Sequence, residues 1–263
     1  MKNIFTIWKK ELNLMFVSPI AYVVLTMFLA LAGFFFYVIV TGVMRSSIQE
    51  MLRSQQFGGP PPPRDMVLDV FRNFFGVLST IVLFVLPMLT MGSFAEEKKR
   101  GTIELLMTSP LTHWQVILGK FLGSLSFFVL MLLPTLIYGF FLFSHSEPAP
   151  QWGPILSGYL GIFLLGAVLI SIGIFISSMT ENQIIAGVVT FALFIFLWVI
   201  DVNAGPEGSG FWSELMRYLS ILKYYEDFTK GVIDTTSLVF YGSLILFGLF
   251  LTSASIESMR WRE

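Results

Sequence analysis

The fold class of this chain is decided by residues 154–178, which read PILSGYLGIFLLGAVLISIGIFISS. The run contains no charged side chain, and it is longer than the roughly 20 residues that a helix needs to cross about 30 Å of hydrocarbon. In lipid, the backbone amides of a single segment can be satisfied only within a helix. A closed β-barrel is disfavoured because the apolar residues are continuous and do not alternate with polar ones. The run therefore predicts a membrane-spanning α-helix.

Five further apolar runs resemble this one in length and composition. Together the predicted spans lie at 20–44, 68–93, 115–143, 154–178, 184–202 and 237–257. Hydrophobic residues make up 55% of the 263 residues and charged residues 13%, whereas soluble domains carry about 25% charged residues. The mean hydropathy is +0.78. We therefore predict a single all-α membrane domain, residues 1–263, with six transmembrane helices.

Proline, serine and glycine mark details of these spans. Ser18-Pro19 is typical of a helix start, with serine at the N-cap and proline at the first helical position, so it is expected to open the first span. Pro134 falls inside the third span and is expected to kink it. Gly119-x-x-x-Gly123 in the same span favours a close helix contact, although such pairs are common by chance in apolar helices.

The distribution of basic residues predicts the orientation. Six spans put both termini on one side of the membrane. Of the 16 Lys and Arg residues, nine fall on the side of the termini and seven on the other. The densest basic run, Lys98-Lys99-Arg100, directly follows the second span, and basic residues accumulate on the cytoplasmic side. We therefore expect both termini and the 94–114 loop in the cytoplasm.

The stretch before the first span, residues 1–17, has the pattern of an amphipathic helix. Ile4, Trp8, Leu12 and Met15 share one helical stripe, and lysines and other polar residues occupy the rest. This pattern predicts a helix that lies in the membrane interface, and it is not the pattern of a cleavable signal peptide. The helix is either a simple membrane anchor or a surface for a cytoplasmic partner.

Two longer segments are predicted on the outer side. Residues 45–67 contain the proline run 60–63 and are interpreted as an irregular linker. Residues 203–236 start with a Gly-rich loop, after which Trp212, Leu215, Leu219 and Leu222 recur at three- and four-residue spacing. This spacing predicts short amphipathic helices that lie at, or dip into, the outer interface.

The segment 94–109, between spans two and three, contains the candidate functional residues. A charged stretch, 96–100, is followed by a break at Gly101, after which Thr102 can cap a short helix. In that helix, the apolar residues are Ile103, Leu105, Leu106 and Met107, and Glu104 is polar. A short helix with exposed apolar residues at the membrane face is typical of a docking element. The alternative, a solvated connector whose charges only fix the topology, is favoured by composition alone, and Glu96 and Glu97 are expected to be solvated.

Most enzyme chemistry is excluded by residue content. The chain has no cysteine and two histidines, His113 and His145, which the predicted topology places on opposite sides of the membrane. No thiolate or histidine-based metal site and no histidine-dependent triad is therefore expected, and neither is a cofactor. The formal net charge of −1 gives no indication of a nucleic-acid partner. No G-x-x-x-x-G-K-[ST] motif occurs, so the usual loop that cradles ATP phosphates is absent from this sequence.

Several stretches of this chain resemble ABC-2-type permeases. The strings EEKKRGTIELLMTSPLT at 96–112 and VILGKFLGS at 116–124 resemble the segment after the second span of that family. KKELNLMFVSPIAYVV at 9–24 is similar to the family's entry helix and first span. Residues 224–262 are similar to its last outer helices, sixth span and basic tail. The likeness covers nearly the whole chain and is greatest to the permease subunits of bacteroidete gliding motility and of nitrous-oxide-reductase maturation.

The resemblance implies a function and a set of partners. It implies a type V exporter-like permease of the cell inner (cytoplasmic) membrane that carries out ATP-driven transport, with export as the expected direction. A separate ATP-binding subunit would hydrolyse ATP, so this chain would not be an enzyme, and a second permease copy or homologue and membrane lipids complete the expected partners. In the family, the segment that matches 94–109 forms the coupling helix, which sits in a groove of the ATP-binding subunit. The residues implied in this contact are Glu96, Glu97, Arg100, Gly101, Thr102, Ile103, Glu104, Leu105, Leu106 and Met107.

Two other classes of protein compete with this interpretation. An ATP-independent transporter or channel would be favoured by charged residues buried near mid-membrane, and the predicted spans contain few charges. A membrane enzyme would need a convergent set of acid, base or nucleophile residues, which the sequence does not indicate.

Overall fold

The computed structural model describes residues 2–57, 65–103, 111–146, 151–203 and 220–259, and all regular structure in these ranges is helical. The helices are α1 (Lys2–Val17), α2 (Pro19–Phe57), α3 (Met66–Thr90), α4 (Ala95–Lys99), α5 (His113–Leu132), α6 (Leu136–His145), α7 (Trp152–Met179), α8 (Gln183–Asn203), α9 (Ile221–Thr229) and α10 (Thr235–Met259). A 3-10 turn at Leu133–Thr135 joins α5 to α6.

Five helical stretches in the described ranges are long and apolar enough to cross a membrane: Pro19–Phe57, Met66–Lys99, His113–Ser144, Trp152–Met179 and Thr235–Ser258. These five candidate spans coincide with five of the predicted ones. The remaining predicted span, 184–202, forms α8, whose apolar stretch Gln183–Val199 is shorter. The total of six spans therefore stays a prediction.

The helix α7 occupies the centre of the bundle. It packs against α10, α3, α9, α8 and α5, and its apolar stretch is 72% buried, against 17% for α2. Glycines on α7 permit this close packing, because a methyl group on Gly166 would lie 2.1 Å from the ring of Phe128 and one on Gly173 would lie 2.2 Å from Oγ1 of Thr90. The core of the molecule is thus built around α7, and α2 lies at the periphery.

The helix α2 is longer than predicted. It begins at Pro19, as the Ser18-Pro19 pair predicts, but it continues to Phe57. The interpretation of residues 45–57 as part of an irregular linker was therefore wrong. The physical reason is local propensity, because RSSIQEMLRSQQF contains no glycine or proline and is rich in good helix formers. The proline run at 60–63 lies outside the described residues.

The third predicted span confirms two local expectations. At Pro134, which lacks a backbone N–H, the α-helix gives way to the 3-10 turn. The pair Gly119 and Gly123 faces α1, since a methyl group on Gly119 would lie 2.5 Å from Cγ2 of Ile7 and one on Gly123 would lie 2.8 Å from Cβ of Glu11. The small residues therefore let α1 and α5 approach closely.

One short helix, α9, lies within the range where short outer helices were predicted. The buried Tyr225 hydroxyl donates a hydrogen bond to the Phe75 carbonyl at 2.8 Å, and burial raises the pKa of Tyr225 well above its ordinary value. The Ser157 hydroxyl of α7 donates to the Phe228 carbonyl at 2.6 Å. These bonds fasten α9 to α3 and α7. The residues 204–219, including Trp212, lie outside the described ranges.

Candidate functional site

The predicted docking residues fall at the end of the second span. Glu96 and Glu97 belong to α4, Arg100 caps it, and Gly101 follows with a φ of +68°, a left-handed conformation that glycine adopts without strain. The predicted break at Gly101 is therefore present. Thr102 and Ile103 are helical and are the last described residues before position 111. The other predicted residues, Glu104, Leu105, Leu106 and Met107, lie outside the described ranges.

The charged stretch is not the solvated loop that the sequence suggested. Residues 95–99 form a helix, and the side chain of Glu97 is only 17% exposed. Glu96 remains 43% exposed. The expectation that both glutamates are solvated was therefore wrong for Glu97, because its carboxylate pairs with Lys120 of α5. Hydropathy along the chain does not reveal such a contact.

The end of α7 fixes the bend between α3 and α4. The Ser177 hydroxyl accepts hydrogen bonds from the backbone N–H groups of Phe94 (3.0 Å) and Ala95 (3.1 Å), and it donates to the Met91 carbonyl at 2.9 Å. The Lys98 ammonium donates to the Ser178 carbonyl. One serine thus satisfies three backbone groups at the bend, which holds α4 in a defined direction.

The carboxylate of Glu96 connects α4 to the start of α8. Its Oε2 accepts a hydrogen bond from Nε2 of Gln183 at 2.9 Å, and its Oε1 forms an ion pair with Arg100 one turn further on. Because Glu96 and Arg100 are both well exposed, this pair contributes little to stability. The ion pair places the charges of Glu96 and Arg100 near the helical residues Thr102 and Ile103.

The most buried charge in the described residues is Lys120 of α5, whose side chain is 3% exposed. Its Nζ lies 3.1 Å from Oε1 of Glu11 and 2.9 Å from Oε1 of Glu97, and 5.0 Å from the centroid of the Phe94 ring. We call Glu11, Glu97 and Lys120 the ion triad. It joins α1, α4 and α5 at one point.

The ion triad contains two acidic side chains and one basic side chain. Two carboxylates share a single ammonium, and among the described residues Oε2 of Glu97 is buried without a hydrogen-bond partner. The triad lies in the wall of an open cavity of about 780 Å³ between α1, α2, α3 and α5. The Glu11 side chain is 12% exposed, so the triad lies at the edge of the cavity and not deep in the bundle.

Sequence reasoning missed the triad, although one signal was present. Lys120 is a lone charge inside the predicted span 115–143 and sits beside Gly119. In predicting the orientation, Lys120 was one of the nine basic residues assigned to the side of the termini, and it had no other role in the sequence analysis. An ionisable residue within an apolar run is a functional candidate together with its partner, and this rule would have selected Lys120.

The helix α1 is held along α5. Besides the triad, the indole Nε1 of Trp8 donates to the Ser126 hydroxyl at 2.8 Å, and Nδ2 of Asn3 donates to Oε1 of Gln115 at 3.3 Å. None of the α1 residues is fully buried. The location of α1 in the membrane interface stays a prediction. Because Glu11 belongs to the ion triad, α1 lies close to the segment that begins at α4.

Across the residues that the structure describes, no group of three or more His, Asp or Glu side chains could hold a metal ion. The site offers instead a short charged helix, braced by hydrogen bonds and an ion pair to α5, α7 and α8, and linked to α1 through Lys120.

The fold defines the class: this is a multi-pass helical membrane protein. Residues 5–253 match the sequence profile of the ABC-2 family transporter proteins. Because the match covers most of the chain, the protein belongs to the ABC-2 transporter permease family.

Curated relatives support the same family. The chain is similar to the probable multidrug ABC transporter permease YbhR of Escherichia coli K12 and to the protein of that name from Escherichia coli O157:H7. Each is 27% identical over 207 residues, which cover 72% of this chain and 52% of the relative. The chain thus spans about half the length of these relatives.

Proposed function

We propose that this chain is the membrane-spanning subunit of an ABC transporter that exports a substrate across the inner membrane with energy from ATP hydrolysed on a separate subunit. Membership of the ABC-2 family supports the transporter class. The single structural observation that carries the proposal is the bracing of α4. A connector that only links two spans does not need ties to three other helices, α5, α7 and α8.

The proposed contact with the ATP-binding subunit is the coupling segment 94–109. Its described half, α4 to Ile103, presents Arg100 and Thr102 at an exposed surface. Its second half carries Leu105, Leu106 and Met107, whose exposure to water would be unfavourable without a covering partner. Movement of the ATP-binding subunit would then be passed to α7, α8 and α5 through the contacts of α4.

The remaining features of the proposal follow the family. Both termini and the coupling segment are placed in the cytoplasm, and a second permease, identical or homologous, completes the pathway. The sequence likeness to gliding-motility and nitrous-oxide-reductase-maturation permeases and the similarity to probable multidrug permeases indicate different cargoes, so the proposal names no substrate.

The competing proposal is a transporter or channel that works without ATP. Ion-coupled transport uses ionisable side chains along a path through the membrane. Among the described residues, Lys120 is the only charged residue that is buried. The carboxylates of Glu11 and Glu97 hold it near the end of α5 that is proposed to face the cytoplasm. The described spans therefore favour the ATP-driven transporter.

The decisive experiment replaces Leu105 and Leu106 by aspartate. Burying one leucine contributes about 1.5–3 kcal/mol, and an unpaired buried carboxylate is unfavourable. The double variant is therefore expected to lose the ATP-binding subunit during gentle affinity purification, while it still inserts into the membrane. The measurement is quantitative mass spectrometry of the co-purified ATP-binding subunit relative to the permease.

A matched control replaces two other exposed apolar residues by aspartate. Met51 and Leu52, near the end of α2, are 55% and 56% exposed and lie on the side opposite the proposed docking site. The Met51→Asp, Leu52→Asp variant is expected to retain the ATP-binding subunit. Equal recovery of that subunit with wild-type protein and with the Leu105→Asp, Leu106→Asp variant would show that the segment is only a connector.

A further inference from the structure

The ion triad connects three segments that the sequence separates widely. Glu11 lies on α1, Glu97 on α4, and Lys120 on α5, and each carboxylate is within 3.1 Å of the same ammonium. Among the described elements, α1 makes its main contacts with α5 and lesser ones with α2. Lys120 is therefore the point at which α1 is tied to the segment that starts at α4.

From this geometry we infer that Lys120 is a positioning residue that fastens the N-terminal helix α1 and the coupling segment into one unit on the third span. The inference rests on the proposed function in one respect, because it takes α4 as the start of the segment that contacts the ATP-binding subunit. A load applied at α4 then acts on α1 and on α5 at once.

The burial of Lys120 supports a specific role for the ion triad. An ammonium that is 97% buried loses its hydration, and a buried ion pair contributes to stability only with good geometry and further hydrogen bonds. A leucine or methionine would fill the same place between Gly119 and Phe121 with less desolvation. What an apolar side chain cannot do is hold two carboxylates from two different helices in a fixed direction.

The surroundings of α1 show why this tie matters. No residue of α1 is fully buried, so the helix is held by surface contacts. Among the described residues, Trp8 and Asn3 donate hydrogen bonds to α5, whereas the ion triad links α1 to α4 through Lys120. Without the ion triad, α1 stays attached to α5 through Trp8 and Asn3, and α4 stays attached to α7 and α8 through Ser177 and Gln183. The position of α1 relative to α4 is then less restricted.

The test measures the distance between α1 and α4 in the permease alone. The chain has no native cysteine, so spin labels can be attached at Lys9→Cys on α1 and Lys99→Cys on α4, both exposed positions. Pulsed electron paramagnetic resonance in lipid nanodiscs then gives the distance distribution. A neutral triple variant, Glu11→Gln with Glu97→Gln and Lys120→Met, removes all three charges together, so it leaves no unpaired buried charge that would prevent folding.

We expect a narrow distribution with the intact ion triad and a broader, shifted one in the neutral triple variant, at a thermal unfolding midpoint close to that of the wild type. The variant Lys120→Arg should keep the narrow distribution, because a guanidinium can bind both carboxylates. The matched control Glu226→Gln with Lys230→Met removes an exposed ion pair on α9 and should also leave the distribution narrow.

Two results would overturn the inference. One is a distribution in the neutral triple variant that matches the wild type, and the other is an equal broadening in the α9 control. Neither depends on an ATP-binding subunit. If that subunit fails to co-purify with the wild-type permease, the proposed function fails, while the distance measurement still decides whether Lys120 positions α1 against α4.

Discussion

At the scale of single residues, the charged side chains near the end of the second span differ in their exposure to solvent. Glu96 and Arg100 stay exposed, Glu97 is largely covered, and Lys120 is buried. The sequence marks the residue types and the glycine break at Gly101, and both are found. The sequence does not indicate how deeply each charged side chain is buried, because burial depends on which distant helix packs against it. Here that helix is α1, which contributes Glu11.

The variant Lys120→Met should destabilise the protein. It leaves Glu11 and Glu97 close together without their shared ammonium, and breaking a buried ion pair from one side typically costs about 3–5 kcal/mol. We expect a clear fall in the thermal unfolding midpoint in detergent. The neutral triple variant should recover most of this loss, and a Lys120→Met midpoint equal to the wild type would contradict the burial of the ammonium.

At the scale of elements, hydropathy predicts where helices lie but not where they end. The apolar runs locate α3, α5 together with α6, α7, α8 and α10 within a few residues, since lipid selects for apolar composition. The end of α2 was missed by 13 residues, from 44 to 57, because helix continuation beyond lipid depends on local propensity and the first glycine. A hydropathy pattern carries no information on that.

The contact between α1 and α5 can be tested at Gly119. A methyl group there would lie 2.5 Å from Cγ2 and 2.7 Å from Cβ of Ile7, so Gly119→Ala must push α1 away or distort it. Overpacking of this kind typically costs about 1–3 kcal/mol. We expect a lower thermal unfolding midpoint and faster hydrogen exchange in α1.

The matched control for this contact is Gly242→Ala in α10. No atom lies within 4 Å of the position that its methyl group would occupy, and alanine is favoured over glycine in a helix by up to about 1 kcal/mol. This variant should be neutral or stabilising. If Gly119→Ala behaved in the same way, α1 would not lie against α5 as described.

At the scale of the whole molecule, the central position of α7 could not be predicted from the sequence. All the apolar runs are similar in composition, and which of them lies in the middle depends on packing. The glycines of α7 give the physical reason after the fact, since Gly166 and Gly173 let Phe128 and Thr90 approach closely. A helix with larger residues at these positions could not have neighbours on so many sides.

The orientation of the molecule is open to a direct test, because no native cysteine competes for labelling. Cysteine at Ser54, a half-exposed position of α2 that lies outside the hydrocarbon in the proposed topology, should react with a membrane-impermeant maleimide in intact cells. Cysteine at Thr102 should react only after the cells are permeabilised. The reverse pattern would show that the termini face outward and that the coupling segment cannot meet a cytoplasmic subunit.

The helix α2 is long enough to amplify a small rotation at its start. Its 39 residues extend over about 58 Å at about 1.5 Å per residue, nearly twice the roughly 30 Å of hydrocarbon. The helix starts at Pro19, and only Ser18 separates it from the end of α1 at Val17, so a small rotation at this joint is magnified along the helix. A tilt of about 10° would carry the far end at Phe57 sideways by about 10 Å. A slight motion at Pro19 would thus become a large displacement at Phe57.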